Sequence, residues 1–117
     1  MYKISKEFSF SASHQLLGLH EGHPCSRVHG HNYVATFYFQ AEELNEVGFV
    51  VDYRALSGIK DYIDNTLDHH HLNELLPFNP TAEHIAKFLY DQFKTEYPQL
   101  YKVAVSETPK TNAVYEP

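Results

Sequence analysis

The sequence predicts an α+β fold, with a four-stranded antiparallel sheet in ββααββ order and two helices packed on one face. Two observations predict it. Residues 3–13 and 29–41 carry apolar side chains at every second position, the period of a half-buried strand. From Asp52 onward the spacing changes to three or four residues, the period of a helix. Strands grouped at both ends of a chain with helices between them are typical of this layer arrangement.

The first two strands are predicted from their alternation. In residues 3–13 the apolar face carries Ile4, Phe8, Phe10 and Ala12, and His14 continues this face at the end of the strand. In residues 29–41 the shared face carries His29, His31, Tyr33, Ala35, Phe37 and Phe39. The connection over residues 15–28 contains two glycines, a proline, two histidines and Cys25, and is too long for a tight hairpin. Loops of this length are usually functional or disordered.

The two helices are predicted from their apolar stripes and their first residues. Asp52 is a candidate N-cap, and the stripe that follows consists of Leu56, Ile59, Ile63 and Leu67. Thr81 is the candidate N-cap of the second helix, with Glu83 in its first turn and Pro98 as its stop. The second stripe consists of Ile85, Phe88, Leu89 and Phe93. Residues 100–107 and 111–115 are predicted as the last two strands.

Length and composition limit the possible classes of protein. The 117 residues contain no linker, repeat or low-complexity tract, so we expect one domain over residues 1–117. A net charge of −6 argues against a general nucleic-acid binder. The chain lacks an apolar run of about 20 residues, as a membrane span needs, and its N-terminus has no signal-peptide pattern, so a cytoplasmic location is the default expectation. The single cysteine excludes an intramolecular disulfide.

The histidines form the strongest candidate for a metal site. His29 and His31 lie two residues apart on a predicted strand, so both rings project from the same face. If the first two strands are antiparallel neighbours, His14 lies near them. Three imidazoles without a fourth protein ligand are the pattern of a catalytic Zn²⁺ site, which keeps one position for water or substrate. His20 and His23 remain competing ligands, and two histidines satisfied by backbone carbonyls remain the simpler interpretation of His29 and His31.

Three further positions carry reactive side chains. Cys25 can act as a nucleophile or base if its pKa is lowered, although a buried inert thiol is the commoner case. Asp68 can orient His69 as a general acid or base, although histidines after a helix often only cap its end. Glu107 can bind a guanidine-like edge through two parallel hydrogen bonds, or can be a solvated carboxylate at a strand end. Together they indicate acid–base chemistry on a small heterocyclic substrate.

Four motifs in order resemble the 6-pyruvoyltetrahydropterin synthase family. They are Cys25-Ser-Arg-Val-His29-Gly-His31-Asn-Tyr, Leu67-Asp68-His69-His70-His71-Leu72-Asn73, Asn79-Pro80-Thr81-Ala82-Glu83 and Ser106-Glu107-Thr108. The resemblance covers nearly the whole chain. The short spacing between Cys25 and His29 is most similar to the bacterial branch of the family, the 6-carboxy-5,6,7,8-tetrahydropterin synthases of queuosine biosynthesis.

This resemblance implies roles for particular residues. It implies that Zn²⁺ is bound by His14, His29 and His31. It implies that Cys25 is the general base, with Asp68 and His69 as a proton relay. The carboxylate of Glu107 is expected to anchor the pterin ring, supported by Thr108 and Thr81. The implied substrate is 7,8-dihydroneopterin triphosphate, and the implied products are 6-carboxytetrahydropterin, acetaldehyde and triphosphate.

The resemblance also implies an assembly. Family members have the tunnelling fold (T-fold), in which trimers close a twelve-stranded barrel and pair into hexamers, with active sites between subunits. A four-stranded sheet has two open edges, so pairing between copies is also expected on physical grounds.

Some assignments stay open at this level. Candidates for binding the triphosphate are Arg27, Lys102 and Lys110, and a neighbouring subunit can supply others. No role is assigned to His20, His23, His70, His71 or His84.

A 6-pyruvoyltetrahydropterin synthase, which eliminates triphosphate and keeps the three-carbon side chain, fits the motifs nearly as well. A non-catalytic pterin- or purine-binding module and a structural zinc protein are the alternatives from other classes.

Overall fold

The protein is built on one mixed sheet of five strands with the spatial order β3-β1-β2-β4-β5. The computed structural model describes residues 1–117. The strands are β1 (Tyr2–His14), β2 (His29–Ala41), β3 (His70–His71), β4 (Leu100–Ser106) and β5 (Ala113–Tyr115). The predicted α+β class is confirmed. The four predicted strands are all present, and β3 is an addition that pairs in parallel with residues 12–13 of β1. Two residues are too few to show a period in sequence.

The long pair formed by β1 and β2 determines where the site lies. These strands pair antiparallel over their whole length, from Tyr2 opposite Ala41 to His14 opposite His29. Their register puts the even-numbered residues of β1 and the odd-numbered residues of β2 on one face. That face is buried from Phe8 to His14 on one strand and from Tyr33 to Phe39 on the other. The histidines therefore terminate the buried face of the sheet.

The first helical region starts with a 3-10 turn (Tyr53–Leu56) and continues as α1 (Ser57–Tyr62) and a π-helical turn (Ile63–Leu67). Asp52 accepts a hydrogen bond from the Arg54 amide, as expected for an N-cap. The predicted stripe is confirmed, since all four of its side chains are at most 1% exposed: Leu56, Ile59, Ile63 and Leu67. A one-turn helix, α2 (Leu72–Leu75), follows β3 and was not predicted.

The last helix, α3 (Ala82–Phe93), is capped as predicted. The Thr81 side chain accepts a hydrogen bond from the backbone N–H of His84. The helix buries Ile85, Leu89 and Phe93, whereas Phe88 is only half-buried at the margin of the core. It ends at Phe93, five residues before Pro98, and Lys94 donates hydrogen bonds to the carbonyls of Pro98 and Leu100.

The two faces of the sheet differ in chemistry. The helices and the buried face enclose an apolar core of 23 residues. The other face carries short polar side chains from β1 and β2, including Ser9, Ser11, Ser13, Asn32 and Thr36. None of the helices has both the length and the apolar character that crossing a membrane requires. The 23 residues of the apolar core do not include His14, His29 or His31, which lie at one end of the buried face.

Candidate functional site

Three histidine rings meet where β1 ends and β2 begins. One nitrogen from each of His14, His29 and His31 lies within 4.8 Å of the corresponding atoms of the other two. The rings of His14 and His29 are 4.5 Å apart between centroids, and those of His29 and His31 are 5.0 Å apart. His14 is fully buried, and the other two are half-buried. The competing candidates His20 and His23 contact each other in the loop and are not part of this group.

Backbone carbonyls orient two of the three rings. The Nδ1 atom of His14 lies 2.8 Å from the carbonyl oxygen of Pro80, and that of His29 lies 2.7 Å from the carbonyl oxygen of Arg27. A carbonyl oxygen can only accept a hydrogen bond, so both Nδ1 atoms carry the hydrogen. If both rings are neutral, their Nε2 atoms present lone pairs to each other across only 2.9 Å; if one ring is protonated, the same contact is a hydrogen bond. Two facing lone pairs repel each other unless a cation lies against both.

The third ring has an unsatisfied nitrogen. The Nε2 atom of His31 is buried and makes no hydrogen bond. An Oε2 atom of Glu107 lies 3.5 Å away, close enough to count as an ion-pair contact but too far for a hydrogen bond of normal length. Buried polar atoms without a partner are uncommon, and an unplaced ion is one of the explanations for them. The group therefore has the donors that a metal ion needs.

The protonation state of His14 also fits metal binding. Burial lowers the pKa of this imidazole, although the hydrogen bond to Pro80 acts in the opposite direction. The neutral ring is the form that coordinates a metal. The Tyr33 hydroxyl lies 3.2 Å from the same Nδ1 atom, and burial raises the pKa of Tyr33, so this group stays a neutral phenol. Three neutral imidazoles are a donor set that suits Zn²⁺ among other transition metals.

Cys25 lies in a one-turn 3-10 helix (Pro24–Ser26) within the long loop. Its backbone N–H donates to the Nδ1 atom of His23, and its carbonyl accepts from the backbone N–H of Leu16. The thiol is half-buried and makes no hydrogen bond inside the chain. His23 thus acts as a local cap for the turn, a role that the sequence did not indicate.

Asp68 and His69 form a hydrogen-bonded pair beside β1. An Oδ2 atom of Asp68 lies 2.8 Å from Nδ1 of His69, while Oδ1 accepts from the backbone N–H of Ser11 at 2.8 Å. The hydrogen bond from Ser11 and, next, that from His69 lower the pKa of Asp68. His69 has a φ of +59°, a left-handed conformation that is uncommon for residues other than glycine. Its ring is 83% exposed, so its Nε2 atom is free to meet a ligand.

The ring of His69 and the metal group (His14, His29 and His31) meet the same cleft from different sides of the sheet. This open cleft of about 460 Å³ is lined by His69, by Ser11, Ser13 and Asn32, whose side chains project from the polar face, and also by His31. His14, by contrast, lies on the buried face. No hydrogen bond within the chain joins Cys25 to Asp68 or His69. Within a single copy, the Asp68–His69 pair and the metal group thus share a cleft through His31, whereas no hydrogen bond joins Cys25 to either of them.

Glu107 lies just beyond β4 and contacts the metal group through His31. It also lines a hollow of about 240 Å³ with Glu83, Val105 and residues 111–113. Thr108 approaches Thr111 through their hydroxyls at 3.2 Å, and the Thr81 hydroxyl is engaged in capping α3. Among the predicted substrate-binding residues, Glu107 is the one whose side chain contacts the metal group, whereas Arg27 meets it through a backbone carbonyl.

The basic candidates lie apart from one another. Arg27 is exposed, and its carbonyl orients His29. The Nζ atom of Lys102 lies 4.5 Å from the ring centroid of Tyr38, over its face. Lys110 is exposed in the turn after β4. Nothing in a single copy gathers these cations into one phosphate-binding cluster.

Sequence reasoning missed several residues that support the site through the backbone or an amide. Pro80 orients His14 through its carbonyl oxygen, which no side-chain pattern shows. The side-chain oxygens of Asn73 and Asn79 accept hydrogen bonds from the backbone N–H groups of Gln15 and Leu17, in the loop that follows β1. The only sequence signal for the two asparagines is their place in the second and third motifs.

Comparison with known proteins agrees with this arrangement. A family profile described as 6-pyruvoyl tetrahydropterin synthase matches residues 3–117. A 6-carboxy-5,6,7,8-tetrahydropterin synthase from Synechocystis sp. is 38% identical, with the match covering 98% of this chain and 93% of that protein. A protein of the same name from Bacillus subtilis is 32% identical, with coverages of 99% and 86%.

A solved structure shows the same fold. The 6-pyruvoyl tetrahydropterin synthase of Caenorhabditis elegans superimposes with a TM-score of 0.86 and 28% identity, covering 99% of this chain and 95% of that one. The family profile covers β1 from its second residue and all the other strands and helices. Together with this superposition, it confirms the T-fold that the motifs imply. The chain therefore belongs to the 6-pyruvoyl tetrahydropterin synthase family.

Proposed function

We propose that the protein is a zinc-dependent 6-carboxy-5,6,7,8-tetrahydropterin synthase that acts in queuosine biosynthesis. It converts 7,8-dihydroneopterin triphosphate and one water molecule to 6-carboxytetrahydropterin, acetaldehyde and triphosphate, which makes it a carbon–carbon lyase. The observation that carries the proposal is the group of three imidazole nitrogens with an unsatisfied Nε2 atom on His31. Relatives at 38% and 32% identity that bear this enzyme's name favour it over the pyruvoyl-forming reaction.

His14, His29 and His31 would hold the metal through their Nε2 atoms, which the hydrogen bonds of His14 and His29 leave free. A bound Zn²⁺ supplies a Lewis acid that stabilises negative charge developing on the side-chain oxygens of the substrate. Three protein ligands leave a coordination position for substrate, as is typical of catalytic zinc sites.

Cys25 is proposed as the general base. A thiolate can remove a proton from the substrate side chain once the neighbouring oxygen is polarised. The thiol makes no hydrogen bond inside the chain, so no hydrogen-bond partner within the protein competes with the substrate for it. Its place in the long loop, four residues before His29, keeps it in the part of the chain that leads into the metal group.

Asp68 and His69 are proposed as the proton relay. The carboxylate of Asp68 accepts from Nδ1 of His69, which fixes the tautomer that leaves Nε2 available to take up or release a proton. The lowered pKa of Asp68 keeps this carboxylate ionised, which favours the protonated imidazole that forms when His69 accepts a proton.

Glu107 is proposed to anchor the pterin ring. Its carboxylate can accept two parallel hydrogen bonds from the 2-amino group and a ring N–H of the pterin. Thr108 and Thr81 are proposed to support this contact and Arg27 to bind the triphosphate. The short separation between Glu107 and His31 is consistent with one substrate contacting both the anchor and the metal group.

We further propose that the working enzyme is a homo-oligomer, a trimer that pairs into a hexamer, with sites shared between copies. Two features support this. His69 opens onto a cleft at the polar face of the sheet that His31 also lines, whereas His14 lies on the buried face. In addition, β1 has a neighbouring strand on its outer edge only at residues 12–13, which leaves most of that edge open for another copy.

The test is product identification after incubation of the zinc-loaded protein with 7,8-dihydroneopterin triphosphate. We expect 6-carboxytetrahydropterin by mass spectrometry, with equal amounts of acetaldehyde and triphosphate. Triphosphate release without acetaldehyde would instead assign the protein as a 6-pyruvoyltetrahydropterin synthase. Absence of turnover by the metal-loaded protein would overturn the enzymatic proposal and leave pterin binding as the remaining function.

Chelation separates a catalytic metal from a structural one. We expect a chelator to abolish turnover while the far-ultraviolet circular dichroism spectrum persists, because the apolar core of 23 residues does not include the histidine group. Unfolding of the chain on chelation would contradict a catalytic role and favour a structural zinc protein.

A further inference from the structure

Two asparagine side chains extend the edge of β1 beyond its last residue. The Asn73 carboxamide accepts from the backbone N–H of Gln15 at 2.8 Å and donates to the carbonyl oxygen of the same residue at 2.8 Å. The Asn79 carboxamide makes the same pair of bonds with Leu17, at 2.9 and 3.1 Å. In extended chain, residues two apart present their N–H and C=O groups along the same edge. The two amides thus occupy the positions that a neighbouring strand would take.

These bonds continue a ladder that starts at the proposed relay. Ser11 donates to Asp68 and accepts from the backbone N–H of His69 at 2.6 Å. The pairing of β1 with β3 follows at residues 12–13. Asn73 and Asn79 then hold Gln15 and Leu17. Every second residue from 11 to 17 is therefore joined to the segment 68–79, which fixes the relay and the loop to the same edge.

The opposite edge of this extension holds the loop that carries Cys25. Between the two clamped residues, the backbone N–H of Leu16 donates to the carbonyl oxygen of Cys25 at 3.0 Å. The side-chain amide of Gln15 donates to the carbonyl oxygen of Ser26 at 2.8 Å. Residues 15–17 are thus held on one side by two asparagines and hold the cysteine turn on the other. No strand pairs with the outer edge of residues 15–17. The two asparagine side chains supply the hydrogen bonds that a neighbouring strand would make there.

We propose that Asn73 and Asn79 are positioning residues, which set the place of Cys25 relative to the metal group through residues 15–17. This proposal rests on the proposed function in one respect, because the proposed function makes Cys25 the general base. His14 immediately precedes the clamped stretch, so the same bonds limit the movement of the loop where it leaves the metal group. Neither asparagine contacts the thiol or the three imidazole nitrogens.

The experiment compares Asn73→Ala and Asn79→Ala with Asn45→Ala as the matched control. Asn45 also accepts hydrogen bonds from two backbone amides, those of Val47 and Phe49, but in a turn far along the chain from Cys25. Asn73→Asp and Asn79→Asp keep the acceptor oxygen but replace the donated bond by repulsion between a carboxylate and a carbonyl oxygen. They remove that half of each clamp without the loss of side-chain volume in the alanine variants, and so serve where those variants fold poorly.

The first readouts need no turnover. We expect amide hydrogen exchange of Gln15 or Leu17 to speed up about fivefold to tenfold when the corresponding asparagine is lost, the effect of one or two hydrogen bonds. The rate of alkylation of Cys25, the only cysteine, should rise in both variants well below the melting temperature. Asn45→Ala should change neither rate.

The kinetic readout tests positioning itself. We expect kcat to fall at least about tenfold in each variant while KM changes little, because Glu107 is held separately, directly after the end of β4. Unchanged exchange at residues 15 and 17, or unchanged kcat with faster alkylation, would overturn the proposal. If the wild-type protein proves inactive, the proposed function fails on its own. Exchange and alkylation then decide whether the asparagines hold the cysteine turn.

Discussion

Glu107 and His31 contact each other at the mouth of the metal group, with Oε2 of the carboxylate 3.5 Å from Nε2 of the imidazole. The carboxylate is nevertheless outside the set of groups whose ligand atoms lie within 4.8 Å of one another. A ligand held by Glu107 therefore lies next to the metal position without Glu107 being one of the three proposed ligands. Holding the substrate and holding the metal are therefore separate roles, and a substitution of Glu107 can distinguish them.

Glu107→Gln should weaken substrate binding and leave metal binding intact. The substitution keeps the shape but replaces the charged acceptor, and hydrogen bonds to charged groups contribute about 1.5–3 kcal/mol. We expect the Kd for a pterin analogue, measured by calorimetry, to rise about tenfold to a hundredfold. Glu83→Gln is the matched control, since Glu83 lines the same hollow but does not contact His31. Loss of zinc from Glu107→Gln would assign the carboxylate to the metal instead.

His31→Ala should remove the metal from a folded protein. His31 is half-buried and its Nε2 atom has no other partner, so its loss removes a ligand without breaking a hydrogen bond. We expect one zinc per wild-type chain by elemental analysis after dialysis, and zinc affinity at least about a hundredfold lower in the variant. The control variant His20→Ala should retain one zinc per chain. Zinc lost from His20→Ala but kept by His31→Ala would reverse the ligand assignment.

Cys25→Ala should abolish turnover without disturbing either binding site. Removing a general base typically costs about 10²–10⁴ in rate. Zinc content and pterin affinity should match the wild type, because the thiol is outside the group of three imidazoles and makes no hydrogen bond within the chain. Steady-state kinetics alongside elemental analysis checks this. Turnover within a few-fold of the wild type would exclude Cys25 as the base.

Asp68→Asn should affect both turnover and acid stability. The pKa of Asp68 is lowered in the folded state, so its charge stabilises the fold above the ordinary carboxyl pKa of about 4. That contribution disappears as the pH falls through the lowered pKa, and the variant should show a smaller decrease of melting temperature in this range. We also expect kcat to fall about 10²-fold or more, because His69 loses its orienting charge.

The matched control for this prediction is Asp52→Asn. The pKa of Asp52 is lowered as well, first by its side-chain hydrogen bond with Arg54, but its location is the N-terminus of a helical region. Its substitution should alter acid stability and leave kcat unchanged. Equal kcat values for Asp68→Asn and the wild type would remove Asp68 from the relay.

Much of the fold could be predicted because it follows from local periodicity. Alternation over residues 29–41 predicts β2, whose bounds in the structure are the same. The stripe from Leu56 to Leu67 predicts a buried helical face, although it does not show that the last turn is π-helical. β3 and α2 were missed because elements of two and four residues are set by contacts with β1 rather than by their own pattern.

The sequence by itself determined which residues are candidates for chemistry and, through the i and i+2 spacing on a strand, that His29 and His31 share a face. Only the tertiary structure decided that His14 and not His20 or His23 completes the group, because strand register brings residue 14 opposite residue 29. It alone also showed the Pro80 carbonyl and the two asparagine clamps. Hydrogen bonds between residues about 60 positions apart depend on how β1 and the segment 68–80 meet, which no local pattern in the chain records.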